Sequence, residues 1–433
     1  MAVALSAGVR AMSVATRGKG VGQAVRRAAV IRGQYGVWTG RMADRLTQVL
    51  DLVLPYDFAA TLPVPAVVLA RYPHVVNRYA IVGIEFAVHG YAHVDHTRIS
   101  ADEQVRDLTR ARKLFERLGV AAKGYRAPYL RWNDATLDAL ARCGYRYDGS
   151  QSVAWPIDPQ LESDAYRRAL AFTGALDAEA HAVVPWIDRG IVRIPYVLPD
   201  DEALVDRLRC DGETMARVWL EILEAVHERG ELFTLAVHPE RIDRCAAAVK
   251  TVLDRARRLR PGVWVATHAD IATWWTERTA ARVVVREESG GRFAVDVHGP
   301  AGCTLLVKGA GVTGAEPWCD GYVRAPSTSV VVVDSRRPFV GVHPSSPPAL
   351  AQFLREQGFI VEVADDATRY ARYVRRATFD RSEGRALLSG IEQGGSPLVR
   401  LGRWPAGARS ALALTGDVDA LTLRDYALRF VGR

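Results

Sequence analysis

The order of its apolar runs predicts an α/β fold built on parallel strands. From about 40 to 280, short β-rich runs alternate with amphipathic helices, and polar residues stand at the C-terminal ends of several runs. Strand–helix alternation of this kind argues for a parallel sheet or barrel, whose strand C-termini form the catalytic rim.

The elements follow in order. A basic segment over 1–40 precedes the first helix, Met42 to Val53. Ala59 to Val64 and Ile81 to Val88 read as strand regions. Ser100 and Glu103 form a capping box for a helix whose face carries Val105, Leu108, Leu114, Phe115 and Leu118, and Gly119 suits its end. Then come GYRAP at 124–128, a helix from near Asn133, IVRIP at 191–195, a helix from Glu213 to Arg229, a strand over 232–237, a helix over 245–259, a strand over 263–267 and a helix over 271–275. The region 41–281 forms one unit in this reading. Residues 282–345 read as a small all-β module, with strand-like runs ending at PFVGV, and PSSPP makes a linker. A helical connecting segment is expected over 346–402, with helices at 349–357, 367–375 and 382–392. The last unit, 403–433, holds a buried strand over 411–415 and a helix over 421–430.

Composition is that of an ordinary globular protein, which excludes general disorder and leaves the chemistry open. Most of the net charge of +8 comes from Arg10, Arg17, Lys19, Arg26, Arg27, Arg32 and Arg41, with no acid before Asp44. No aromatic–basic motif accompanies that charge, so no specific nucleic-acid partner is expected. Five widely spaced cysteines without a CxxC argue against a disulfide framework and a zinc–thiolate site, although Cys303 and Cys319 could pair. Reduced thiols fit a cytoplasmic location. No transmembrane segment is expected, and the apolar stretch Ala2–Val9 is short for a signal core.

Three groups carry the chemistry. HGYAH supplies His89 and His93, two imidazoles able to converge on one ion because Gly90 lets the backbone turn. A bare HxxxH is equally two ordinary loop histidines, and His96 reads as a supporting or surface residue. DVD supplies Asp417 and Asp419, which can divide ligation and proton transfer, although Asp419 could simply cap the helix after it. His238-Pro239 ends a strand, where a histidine can act as general acid. Two histidines and one carboxylate make an open site for one divalent ion, zinc by its donor set. Trp132, Trp264, Trp274 and Trp275 could stack on sugar faces, with core packing the competing reading. The GxG at 309–311 has no helix after it, which argues against a dinucleotide site.

HGYAH, GYRAPYLRWNDATLDALARCGYRYDGS and LFTLAVHP resemble motifs of the polysaccharide deacetylases of NodB type. IPYVLPDD, VWVATHADIATWW and YDFAATLPVPAVVLARYP resemble further stretches, and together they cover about 40–280. That family opens on a strand ending in an acidic pair. Its counterpart here is RWPAGARSALALTGDVDA at 403–420, so the sequence looks circularly permuted. The resemblance implies a distorted (β/α) barrel whose main part is 41–281 and whose first strand enters from 403–433. It implies that His89, His93 and Asp419 hold the metal, Asp417 is the general base, Arg126 orients Asp417, the Tyr129 N–H serves the oxyanion, and His238 protonates the leaving amine. Pro128, Trp132, Asp200 and Asp201 are the candidate substrate-binding residues, with helix capping the equal alternative for Asp200 and Asp201.

Gly416 stands where the family usually has an aromatic, and Gly90 and Val94 replace the usual hydroxyl residues. These features resemble the DxD/HGxxH subgroup, which includes allantoinase-like enzymes. The expected function is N-deacetylation of an amino-sugar glycan or glycoconjugate. The alternatives are hydrolysis of another linear or cyclic amide, and a non-catalytic carbohydrate-binding protein, which would need neither Asp417 nor His238.

Overall fold

The computed structural model describes residues 31–429, so the basic residues from Arg10 to Arg27 lie outside the described part. Nine strands form the principal sheet: β1 (Thr61–Val64), β2 (Glu85–Val88), β3 (Gly124–Tyr125), β4 (Tyr147–Asp148), β5 (Trp186–Asp188), β6 (Ile191–Arg193), β7 (Leu232–Ala236), β8 (Val263–Val265) and β9 (Ser410–Thr415). Their order is β7-β9-β1-β2-β3-β4-β6-β5, with β8 also paired to β9. Only the β5–β6 pair is antiparallel. The sheet curls into a half-barrel.

The helices form where apolar spacing and caps coincide. Gly40–Val53 buries Met42, Leu46, Val49 and Val53, one stripe at intervals of three and four. In Ala101–Arg117 the Ser100 side chain and the Glu103 carboxylate complete the expected capping box. Asn133 caps Asp134–Arg142, and Asp211 caps Gly212–Arg229, which Gly230 ends in a left-handed turn.

β9 reaches the sheet from the far end of the chain. Ala411, Leu412, Ala413 and Leu414 are all buried, as a central parallel strand requires. One edge pairs with β7 from Ala411 to Thr415; the other is shared by β8 at its start and β1 at its last residue, Thr61 opposite Thr415. The Thr415 hydroxyl donates to the Thr61 carbonyl at 2.7 Å. Gly416 follows because nothing larger fits: a Cβ there would lie 1.8 Å from the Val237 carbonyl oxygen. The missing aromatic noted in the sequence thus has a steric cause.

The C-terminal half departs from expectation. Arg282–Glu288, Arg292–His298 and Ser329–Val333 form an antiparallel sheet, and Leu305–Lys308 belongs to a second one that also takes Leu398–Leu401. Arg337–Val342, expected in the same module, pairs instead in parallel with Val361–Val363 and Tyr370–Val374. A break at 345/346 would therefore cut a strand–helix–strand unit built with the helix Pro348–Glu356. The helix expected over 367–375 is mostly the strand Tyr370–Val374. Its Tyr370 and Tyr373 rings lie against the backbone of Gly341, where a Cβ would come within 2.6 and 2.8 Å of them. That tertiary contact favours extended chain over helix. The helix Gly384–Glu392 forms as expected, and all five cysteines are free.

Candidate active site

His89 follows β2, and its N–H donates to the Val64 carbonyl of β1. Its Nδ1 lies 2.8 Å from the Arg126 carbonyl oxygen. A carbonyl only accepts, so Nδ1 carries the proton and Nε2 presents its lone pair. Gly90 then turns the chain at φ +78°, where a Cβ would meet the Ala92 carbonyl oxygen at 2.7 Å. This turn brings the His93 ring to 5.0 Å from the His89 ring, centroid to centroid. The loop is tied down from behind: Asp107 accepts from the Tyr91 N–H at 2.9 Å and meets His96 Nε2 at 3.1 Å. His96 is buried, with Nδ1 2.7 Å from the Tyr125 hydroxyl, and so is no surface residue.

Asp417 and Asp419 leave β9 on either side of buried Val418, whose N–H donates to the Pro63 carbonyl at 2.8 Å. Asp419 Oδ1 lies 3.4 Å from His89 Nε2 and 3.2 Å from His93 Nε2. His89 Nε2 and Asp419 Oδ1 are buried and have no hydrogen-bond partner among the described residues. Burial opposes the charge on Asp419, but Arg429 and His93 outweigh it and hold the carboxyl well below the usual range. Burial likewise lowers His93, to about 4, despite Asp419 nearby, so His93 is neutral at pH 7. Asp417 takes Arg126 Nη1 at 2.8 Å through Oδ1, and its Oδ2 lies 3.7 Å from His89 Nε2. Its pKa is lowered too, burial being outweighed by His89, Arg126 and His238. Arg126 is itself fixed by its Nε donating to the Gly149 carbonyl.

His238 follows β7. Its Nδ1 lies 2.6 Å from Asp201 Oδ1, and its backbone N–H donates to Asp201 Oδ2 at 2.9 Å. Burial disfavours an imidazolium, but the Asp201 carboxylate overrides it and raises His238 well above its ordinary value. Asp200 accepts from the Tyr196 hydroxyl and the Ala203 N–H, and burial beside Asp201 pushes its carboxyl up to about 6. Asp200, Asp201 and His238 are close enough to be a second cation cluster, but both Asp201 oxygens are already engaged by His238.

These groups open on one cavity of about 690 Å³, lined by His93, Tyr129, Asp200, His238, Asp417 and Asp419 among others. Tyr129 is at the rim with a left-handed backbone, φ +61°. Pro128 and Trp132 are not among the walls: Pro128 packs by Gly90, and Trp132 lies under the Arg193 guanidinium at 4.0 Å. Asp201 sits behind His238. Trp264, Trp274 and Trp275 pack with Trp404 in the core, away from the cavity.

Residues 37–147 match the polysaccharide deacetylase family. The matched stretch holds His89, His93, Arg126 and Tyr129; Asp417, Asp419 and His238 lie outside it. The peptidoglycan deacetylase-like protein FGM2 of Gibberella zeae is 33% identical over 119 residues, 27% of this chain and 35% of that protein. The chain thus spans about a third of the length of this curated relative. A probable polysaccharide deacetylase from Pseudomonas aeruginosa PAO1 shares 19% identity, with 53% of this chain and 72% of that one covered and a TM-score of 0.42. A family 4 carbohydrate esterase from Streptomyces lividans, in complex with acetate, shares 20% identity over 25% and 57%, with a TM-score of 0.24.

Several groups in the cavity went unread in the sequence. Arg429 donates to Asp419 Oδ2 at 2.7 Å and lies 3.1 Å from His93 Nε2. Tyr35 donates to buried Glu240 at 3.2 Å, and its ring lies tilted against that of Tyr426, 5.1 Å between centroids. The role of Asp201 beneath His238 was also missed. In retrospect, the acidic pair in PYVLPDD at a strand end was the one local signal for it.

Proposed function

We propose that the protein is a metal-dependent amide hydrolase that N-deacetylates an amino-sugar glycan or glycoconjugate. One observation carries the reading: two imidazole Nε2 atoms and one carboxylate oxygen converge in a buried niche, two of them otherwise unpartnered. Ligands about 2.0–2.2 Å from a tetrahedral zinc stand about 3.3 Å from one another. The 3.4 and 3.2 Å separations fit that spacing. His89, His93 and Asp419 would hold the ion, which when bound polarises the amide carbonyl and acidifies water.

The remaining roles belong to the chain's own groups. Asp417, kept ionised and aimed by Arg126, takes the proton of the attacking water. The Tyr129 N–H at the rim donates to the developing oxyanion. His238, kept protonated by Asp201, delivers a proton to the departing amine. Asp200 is the acid left facing the substrate space. In this reading the barrel is circularly permuted: β9 supplies the acidic strand with which the family opens, and 41–281 supplies the rest. The parallel seating of β9 beside β7, β8 and β1 supports it. A cytoplasmic setting belongs to the same proposal and rests on the odd number and wide spacing of the cysteines in the sequence. Among the described residues, no helix is long and apolar enough to cross a membrane.

The test is acetate release from N-acetylated amino sugars and their oligomers by zinc-loaded protein, run beside ureide hydrolysis. Acetate release supports the reading. Ureide hydrolysis alone would transfer the site to cyclic amides, and inactivity on both classes would refute it.

A further inference from the structure

The fourth side chain at the metal niche is Arg429, which arrives from the helix Leu423–Leu428 at the far end of the chain. Its Nη1 donates to Asp419 Oδ2 at 2.7 Å, a short charge-assisted bond. The guanidinium is mostly buried, against the Tyr426 ring at 5.4 Å. Asp419 is therefore divided between two duties: Oδ2 is taken by Arg429, while Oδ1 is turned to the two histidines and left without a hydrogen-bond partner among the described residues. A carboxylate free to rotate would offer either oxygen, or both, to a cation.

We infer that Arg429 is a positioning residue for the metal site, pinning Oδ2 of Asp419 so that Oδ1 alone faces the ion. This rests on the reading of His89, His93 and Asp419 as ligands. It assigns a role to a residue outside the stretch that matches the family. Groups that orient a ligand in this way are typically worth about 10–100-fold in metal affinity. The contact to Oδ2 is compatible with an ion on Oδ1. The 3.1 Å approach of Nη2 to His93 Nε2 is not, because that nitrogen has one lone pair. On loading, the guanidinium gives up the histidine and keeps the aspartate.

The experiment is a zinc titration of full-length wild type, Arg429→Lys and Arg429→Met against a chromophoric chelator, with the thermal midpoint of each metal-free protein measured alongside. The expected result is an affinity about 10–100-fold weaker for Arg429→Met and an intermediate one for Arg429→Lys, with similar metal-free midpoints. Equal affinity would overturn the inference. So would tighter binding by Arg429→Met, which would make the guanidinium a competitor for His93. If only the midpoints fall and affinity holds, Arg429 is a structural group and the inference is likewise wrong. Absence of zinc binding in the wild type would remove the metal site and this inference together, whereas a change confined to the variants speaks to Arg429 alone.

Discussion

His93 and His238 face carboxylates across the same cavity, both buried, and they hold protons in opposite ways. His238 Nδ1 is 2.6 Å from Asp201, and that carboxylate overrides burial to raise the imidazole well above its usual range. His93 Nε2 is 3.2 Å from Asp419, yet burial wins and the imidazole falls to about 4. The difference lies in what else the carboxylate sees. Asp419 is already compensated by Arg429, whereas both Asp201 oxygens turn to His238. Burial is the largest influence on both imidazoles: it prevails at His93, where Arg429 and His89 add to it, and is overcome at His238 by Asp201.

The largest expected effect is at Asp417, which stands between the two pairs. Asp417→Asn keeps the shape and removes basicity, so turnover should fall by about 10²- to 10⁴-fold while bound zinc is retained. Zinc content and kcat measured on one preparation check this. Loss of zinc together with activity would show Asp417 to be a ligand and break the division between the pairs.

Next is Asp201→Asn. With His238 as the proposed acid, activity should be present below its raised pKa and lost as pH rises through it. Without the carboxylate that alkaline limb should move to lower pH, read from the pH profile of kcat/KM. An unmoved limb would mean that His238 is not the acid. The same shifts bear on stability with opposite signs. His238 stabilises the fold below its unfolded pKa of about 6.5, and that contribution is lost as pH rises through its raised folded value. In the metal-free protein His93 stabilises above about 6.5, and its contribution is lost as pH falls towards 4.

The smallest effect belongs to a site remote from both pairs. Ser100→Ala removes a helix cap and should cost about 1 kcal/mol by denaturant unfolding. The pH profile and zinc affinity should stay where they are; a change in either would mean that the pairs respond to global stability and not to local charge.

Much of this site was legible because strand ends carry it. His89, Arg126, His238 and Asp417 each follow an apolar run, and their convergence needed only the parallel arrangement those runs imply. The seating of Ala411–Thr415 in the principal sheet was legible for the same reason. The pairing of Asp201 with His238 was not, because the partners are 37 residues apart and an acid after a strand looks the same whether it faces substrate or supports a base. Arg429 had no local signal: one arginine on a short amphipathic helix is ordinary until the helix is placed over Asp419. The strand Tyr370–Val374 was misread because its extended form depends on Gly341, a contact made across the sheet.

The proposed chemistry stands or falls on His89, His93 and Asp419 forming one cation site on which activity depends. The most direct measurement is zinc stoichiometry after equilibrium dialysis of wild type and the His89→Ala, His93→Ala double variant, with acetate release assayed on the same samples. One zinc per wild-type chain is expected, with none above background in the variant and activity that follows the metal. Equal zinc in both proteins, or an active variant without it, would contradict the claim.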